Sequence, residues 1–151
     1  MDVCLVEMPF RLAVLGPDRA DVALEAHQYA HWYIGGHSLG GVIAASYAAK
    51  HSDRFEGVIL LASYSTAGLD DSLTTILIYG SEDQVLNREE YEENLVNVPA
   101  SHIEQILEGG NHAQFGSYGA QTGDGTPRIS QEQQISQTVD LIIQNLLQPD
   151  A

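Results

Sequence analysis

The chain has 151 residues, of which 44% are hydrophobic and 18% charged, a composition that indicates one soluble globular domain with a sizeable core. It carries 21 acidic side chains against 6 basic ones, so the formal net charge of −15 argues against nucleic acid or a membrane surface as a partner. No apolar run approaches the ~18 residues of a membrane span, and no basic segment precedes an apolar one at the N-terminus, so we expect no signal peptide.

Cys4 is the single cysteine and lies in an apolar run. One cysteine excludes an internal disulfide and fits a reducing compartment, so we expect a cytoplasmic protein in which Cys4 is buried. The His, Cys, Asp and Glu residues show no metal-ligand spacing, and the chain has no phosphate-binding loop. We therefore expect no metal and no cofactor.

Short apolar runs alternate with segments of helical spacing along the chain. The apolar runs predict strands at 3–6, 32–34, 57–63, 73–80 and 102–107. The helical segments are 19–31, 39–51, 88–96 and 131–147. This alternation predicts an α/β fold, a three-layer αβα sandwich around a mainly parallel sheet, with residues 1–151 forming a single domain.

The last helical segment, 131–147, is amphipathic. Ser130 and Gln133 resemble a capping box at its start. We expect its buried stripe to consist of apolar residues, namely Ile135, Val139, Leu141, Ile142, Leu146 and Leu147.

The segment 36–40, Gly-His-Ser-Leu-Gly, matches the G-x-S-x-G pattern of a nucleophile elbow. It lies between a predicted strand and a predicted helix, as that turn requires. The helix that begins near Leu39 would direct its free N–H groups toward an oxyanion formed at Ser38. The alternative interpretation is a glycine-rich strand-to-helix turn that contains an incidental serine.

A serine nucleophile needs a histidine base, and the base needs a carboxylate to orient it. In the elbow architecture these partners follow the serine in the order acid, then histidine, at the carboxyl ends of strands. His112 follows the last predicted strand in a Gly-Gly-Asn turn and is the predicted base. Asp83 directly follows the strand at 73–80, and we favour it over the adjacent Glu82 as the acid. Asp70 and Asp71 are the remaining candidates, although a solvated turn explains them more simply.

The segments 36–41, 79–83 and 109–112 together resemble the three catalytic stations of an alpha/beta-hydrolase. The chain is similar to small bacterial serine hydrolases related to dienelactone hydrolases, carboxylesterases and lipases, and the resemblance covers residues 3–147. It implies that Ser38 is the nucleophile, Asp83 the orienting acid and His112 the general base. It also implies that the Leu39 N–H contributes to the oxyanion hole. Dienelactone hydrolases proper use cysteine, so a serine favours ester chemistry.

The chain departs from this family at its N-terminus. The predicted strand at 3–6 resembles the fourth strand of the family's sheet, so we expect an N-terminally incomplete fold without the first three strands. We expect the loop that usually supplies a second oxyanion donor in this family to be missing with them. An unpaired edge at 32–34 would then favour self-association, unless 3–6 pairs with it directly.

The favoured interpretation is a serine hydrolase that cleaves a carboxylic ester or thioester through an acyl-enzyme on Ser38. Its small-molecule substrate would bind against His37, Tyr64 and Phe115, with the glycine-rich loop at 117–130 bordering the pocket. The alternative is a non-catalytic truncated remnant, or a binding module that needs another chain or segment to complete its sheet.

Overall fold

The computed structural model describes residues 2–8 and 16–146. In this part of the chain four strands form one sheet: β1 (Tyr33–His37), β2 (Gly57–Leu61), β3 (Thr74–Gly80) and β4 (Ile103–Leu107). They lie side by side in chain order, and every neighbouring pair is parallel. The carboxyl ends of all four strands therefore meet at one edge of the sheet, and the segments that follow them are brought together there.

The described part of the chain also contains four α-helices: α1 (Ala20–Ala26), α2 (Leu39–Lys50), α3 (Arg88–Glu93) and α4 (Gln131–Leu146). α1 is shorter than the predicted helix at 19–31, because the backbone becomes extended at His27. α3 begins where predicted, with the Asn87 side chain accepting a hydrogen bond from the Glu90 N–H. No helix within the described residues combines the length and apolar character needed to cross a membrane.

Helices cover both faces of the sheet, because side chains of a strand point alternately to its two sides. In β3, Leu77 and Tyr79 belong to a core that also contains alanines of α2, whereas Ile76 and Ile78 face the opposite core. Residues of α4 pack against that second core. The predicted α/β architecture of three layers around a parallel sheet is confirmed.

The predicted strand at 3–6 is not formed. Val3 and Leu5 are 82% and 96% exposed, and Cys4, which we expected to be buried, is exposed as well. An apolar run becomes a strand only where a neighbouring strand completes its hydrogen bonds, and none of the described strands pairs with this segment. Among the described strands, β1 instead lies at the edge of the sheet and pairs with β2 alone.

The predicted buried stripe of α4 is partly wrong. Ile135 and Val139 are exposed, and Gln134 and Thr138 are buried in their place. Three other members of the stripe do pack against the core, namely Leu141, Ile142 and Leu146, and Leu147 lies outside the described residues. The capping box at the helix start is formed, since Ser130 and Gln133 exchange hydrogen bonds between side chain and backbone.

The orientation of α4 follows from hydrogen bonds made by the Gln134 side chain. Its Oε1 accepts from the Asn111 N–H at 3.0 Å, and its Nε2 donates to the Asn111 carbonyl at 2.8 Å. Both backbone groups are buried, so they need partners within the protein. The Gln134 amide supplies both partners, as the backbone of a neighbouring strand would. α4 is therefore oriented with Gln134 facing inward.

We predict that Gln134→Ala lowers the free energy of unfolding by about 1–3 kcal/mol, because it leaves buried groups of Asn111 without partners. The neighbouring Ile135→Ala should change it by less than about 0.5 kcal/mol, because Ile135 is exposed. Urea denaturation followed by circular dichroism measures both values. A larger loss for Ile135→Ala than for Gln134→Ala would contradict the described orientation of α4.

Candidate active site

Ser38 occupies the turn between β1 and α2 in a conformation that side chains rarely adopt, with φ 53° and ψ −128°. Gly36 makes this turn feasible, whereas a Cβ on Gly40 would meet nothing within 4 Å. A Cβ on Gly36 would lie 2.4 Å from the carbonyl carbon of Gly40, so the turn closes only with glycine there. Such strain persists only where neighbouring structure holds it in place.

Hydrogen bonds from the end of β2 hold this turn. The Ser38 N–H donates to the Leu61 carbonyl at 2.9 Å, and the Ser63 hydroxyl donates to the Ser38 carbonyl at 2.7 Å. Ser63 is buried, and a Cβ on Gly41 would lie 2.5 Å from its Oγ, so α2 approaches it closely. Sequence reasoning missed Ser63. Its position at the carboxyl end of a strand beside the turn was the available signal.

Asp83 and His112 form a buried hydrogen-bonded pair. The His112 Nδ1–H donates to Asp83 Oδ2 at 2.9 Å, and Asp83 Oδ1 accepts from the N–H groups of Val85 and Leu86 at 2.9 and 2.8 Å. Burial raises the pKa of Asp83, but the hydrogen bonds from His112 and from the two N–H groups outweigh it and lower the pKa below its ordinary value. Asp83 is therefore ionised at neutral pH and fixes the orientation of the imidazole.

The other carboxylates considered for this position lie elsewhere. Glu82 pairs with Arg128 at 2.6 Å. Asp70 accepts hydrogen bonds from the backbone and hydroxyl of Ser72 in an exposed turn, and Asp71 is exposed beside it. Of the four candidates, Asp83 alone is hydrogen-bonded to His112. Glu82 precedes Asp83 in the loop after β3 but its side chain points elsewhere, and Asp70 and Asp71 lie before β3.

Ser38 and His112 line the same cleft, which has a volume of about 230 Å³. The remaining lining residues are Leu39, Val42, Ala62, Ser63, Tyr64, Val85, Leu86 and Asn87. The Nε2 atom of His112 is buried and has no hydrogen-bond partner among the described residues, so Ser38 and His112 share a cleft without being hydrogen-bonded to each other.

The residues predicted to bind substrate fall into two groups. Tyr64 lines the cleft, and Leu39 lies there half exposed at the first turn of α2. His37 and Phe115 are not among the lining residues. The His37 ring instead packs against the His112 ring with centroids 4.5 Å apart, and Phe115 packs against His37 at 5.8 Å.

His37 is held neutral in this packing. Burial, followed by the proximity of His112, lowers the pKa of His37 to about 4. Its Nδ1 is 2.9 Å from the hydroxyl of Tyr118, a residue of the glycine-rich loop at 117–130.

Among residues 2–8 and 16–146, no group of three or more His, Cys, Asp or Glu side chains is placed to hold a metal ion.

Comparison with known proteins identifies the class of protein that this fold and cleft represent. A family model described as "Alpha/beta hydrolase family" matches residues 1–136, and the chain belongs to this family. No curated protein matches the chain at a significant level.

Solved structures show the same fold at low sequence identity. A CIB-like hydrolase from Thermoplasma acidophilum is 20% identical with a TM-score of 0.59, and the match covers 85% of this chain and 58% of that one. MGS-MChE2, an alpha/beta hydrolase enzyme from the metagenome of lagoon sediments at Mar Chica, Morocco, is 13% identical with a TM-score of 0.57, covering 85% and 68%. A membrane phospholipase A, a bacterial virulence factor, is 13% identical with a TM-score of 0.55, covering 83% and 62%. The chain thus spans a little over half the length of the first of these structures.

We predict that His37 makes stability depend on pH between about 6.5 and 4. The unfolded chain binds a proton at His37 below its ordinary pKa of 6.5, whereas the folded chain does so only near its lowered pKa of about 4. This contribution is therefore complete above pH 6.5 and is lost as the pH falls toward 4. Urea denaturation at pH 7 and pH 5 should show a smaller loss of stability for His37→Gln than for the wild type. Equal losses would contradict the assignment.

Proposed function

We propose that the protein is a serine hydrolase that cleaves a carboxylic ester or thioester through an acyl-enzyme on Ser38. The observation that carries the proposal is the buried hydrogen bond between His112 and Asp83, placed in the same cleft as the strained Ser38. A serine, an oriented imidazole and an ionised carboxylate, in this chain order, are the parts that acyl transfer requires.

In the proposed reaction the Ser38 Oγ attacks the acyl carbon while His112 Nε2 accepts the hydroxyl proton. His112 then gives this proton to the departing alcohol or thiol, and the acyl group remains bonded to Ser38. Water next attacks the acyl carbon and transfers its proton to Nε2, which returns it to Ser38 as the carboxylic acid leaves. Asp83 stays ionised throughout and stabilises the imidazolium.

The unpartnered Nε2 of His112 fits this role. Nδ1–H is engaged by Asp83, so Nε2 carries the lone pair that a general base needs, and it is buried at the cleft. Catalytic hydrogen bonds, such as the one proposed between the Ser38 hydroxyl and His112 Nε2, are often long without substrate and tighten when substrate binds. The Leu39 N–H lies in the first turn of α2, where N–H groups lack carbonyl acceptors within the helix, and we assign it as an oxyanion donor.

The cleft favours an uncharged acyl group. Apart from the proposed base His112, its lining residues carry no ionisable group except the Tyr64 hydroxyl, and most of them are apolar or small. A carboxylate bound there would lose its hydration without gaining a cationic partner. The formal net charge of −15 adds long-range repulsion against anionic substrates.

A second candidate function is a non-catalytic module whose sheet is completed by another chain or segment. Two observations favour it: no strand of residues 2–8 or 16–146 pairs with the outer side of β1, and the apolar side chains of Val3 and Leu5 are exposed. Self-association through the same edge would be one form of such a partnership. Whether Ser38 reacts with an acyl substrate distinguishes this candidate from the hydrolase.

We predict that a fluorophosphonate probe labels Ser38 and that 4-nitrophenyl butyrate is hydrolysed. Ser38→Ala should abolish labelling and lower kcat by roughly 10⁶-fold, as in comparable serine relays. Asp83→Asn should lower kcat by about 10⁴-fold, because the imidazole loses the partner that sets its tautomer. Intact-mass spectrometry and initial rates measure these effects.

The matched control is Ser101→Ala, an exposed serine just before β4, at the other end of the strands. It should label and turn over substrate like the wild type. Equal rates for Ser38→Ala and the wild type would remove the hydrolase proposal and leave the second candidate.

We also predict that kcat/KM for 4-nitrophenyl butyrate exceeds that for the anionic mono-4-nitrophenyl succinate by at least about tenfold, since burying an unpaired charge costs more than about 1.4 kcal/mol. Val85→Lys, which adds a cation to the cleft lining, should narrow this ratio. The proposed preference would be wrong if the wild type handled both esters equally well.

A further inference from the structure

Asp124, in the glycine-rich loop at 117–130, binds the backbone that carries His112. Its Oδ2 accepts from the Ala113 N–H at 2.9 Å, and its Oδ1 accepts from the His112 N–H at 3.3 Å. Oδ1 also accepts from the N–H groups of Gly125 at 2.8 Å and of Gln84 at 3.4 Å. Gln84 directly follows Asp83, so one carboxylate joins the loops that carry the two members of the buried pair.

The residue after Asp124 brings the same loop into direct backbone contact with the loop after β3. A Cβ on Gly125 would lie 1.9 Å from the Glu82 carbonyl oxygen, so only glycine permits this approach. The Gly125 carbonyl in turn accepts a hydrogen bond from the Asn111 side chain at 2.9 Å. Segments 82–84, 111–113 and 124–125 are therefore packed together through backbone groups.

Asp124 does not line the cleft, so any effect on the reaction has to pass through His112. The His112 imidazole is attached to the backbone that Asp124 binds. To accept the proton, its Nε2 must come within hydrogen-bonding distance of the Ser38 hydroxyl. Displacement by about 1 Å in such an arrangement can cost about 10²-fold in rate.

We infer that Asp124 is a positioning residue, which keeps the His112 loop against the Asp83 loop by binding the N–H groups at 112 and 113. This inference rests on the proposed function of His112 as general base. The carboxylate supplies acceptors that no other described side chain offers to those two N–H groups.

Asp124→Ala should lower kcat for 4-nitrophenyl butyrate by about 10- to 100-fold, with KM unchanged within about twofold, because the cleft lining is intact. Asp124→Asn keeps one oxygen acceptor and should recover part of the loss. Amide hydrogen exchange at 112 and 113 should be faster in both variants than in the wild type. This readout does not depend on activity.

Asp21→Ala is the matched control for a general loss of stability. Asp21 lies on α1 and accepts hydrogen bonds from Tyr47 and Arg54, so its removal also deletes a carboxylate with several donors. Its kcat should equal that of the wild type when both are assayed below the unfolding transition. If Asp21→Ala lowered kcat as much as Asp124→Ala, the inference would be overturned, because the fall in kcat would then reflect lost stability alone.

Two readouts separate failure of the inference from failure of the proposed function. If the wild type is not labelled at Ser38, the proposed function fails, and hydrogen exchange at 112 and 113 still tests Asp124. If the wild type is labelled and Asp124→Ala keeps its kcat, the inference is wrong. Unchanged exchange at 112 and 113 in Asp124→Asn overturns it whether or not the protein is active.

Discussion

The buried hydrogen bond between His112 and Asp83 is the interaction on which the site depends. It joins two loops that are 29 positions apart in the chain, and it does so inside the protein, where an ion without partners would be costly. The carboxylate has three donors, namely the imidazole and two backbone N–H groups, which keep it ionised despite its burial. The parallel sheet makes this meeting possible, since β3 and β4 are neighbours and deliver their loops to the same edge.

The loop that carries His112 is held from two directions. Gln134 of α4 satisfies the backbone of Asn111 from one side, and Asp124 satisfies the N–H groups of the next two residues. Two polar side chains thus complete backbone hydrogen bonds beyond the end of β4, as a neighbouring strand would within the sheet. The glycine-rich loop has no regular secondary structure, yet its carboxylate ties the two neighbouring loops together.

Local patterns in the sequence were sufficient to predict the four described strands, the turn at Ser38, and Asp83 and His112 as neighbours. Each of these follows from short-range features: an apolar run, a glycine pattern, or a position directly after a strand. The segment at 3–6 could not be judged in this way, because an apolar run forms a strand only if another strand accepts its hydrogen bonds. Asp124 and Ser63 were missed for a related reason. Their importance lies in backbone groups distant in the sequence. The position of Ser63 just after a strand beside the turn at Ser38 was a signal, whereas nothing around Asp124 in the sequence indicates its partners.

At Ser38 the backbone conformation favours one residue for stability, and the proposed chemistry requires another. A residue with a Cβ is costly at φ 53°, and glycine would relieve that cost while removing the hydroxyl. The side chain that the proposed chemistry needs is therefore not the one that the fold alone would favour there. Replacement by glycine would relieve the strain and remove the hydroxyl, so at this one residue a gain in stability and the proposed activity exclude each other.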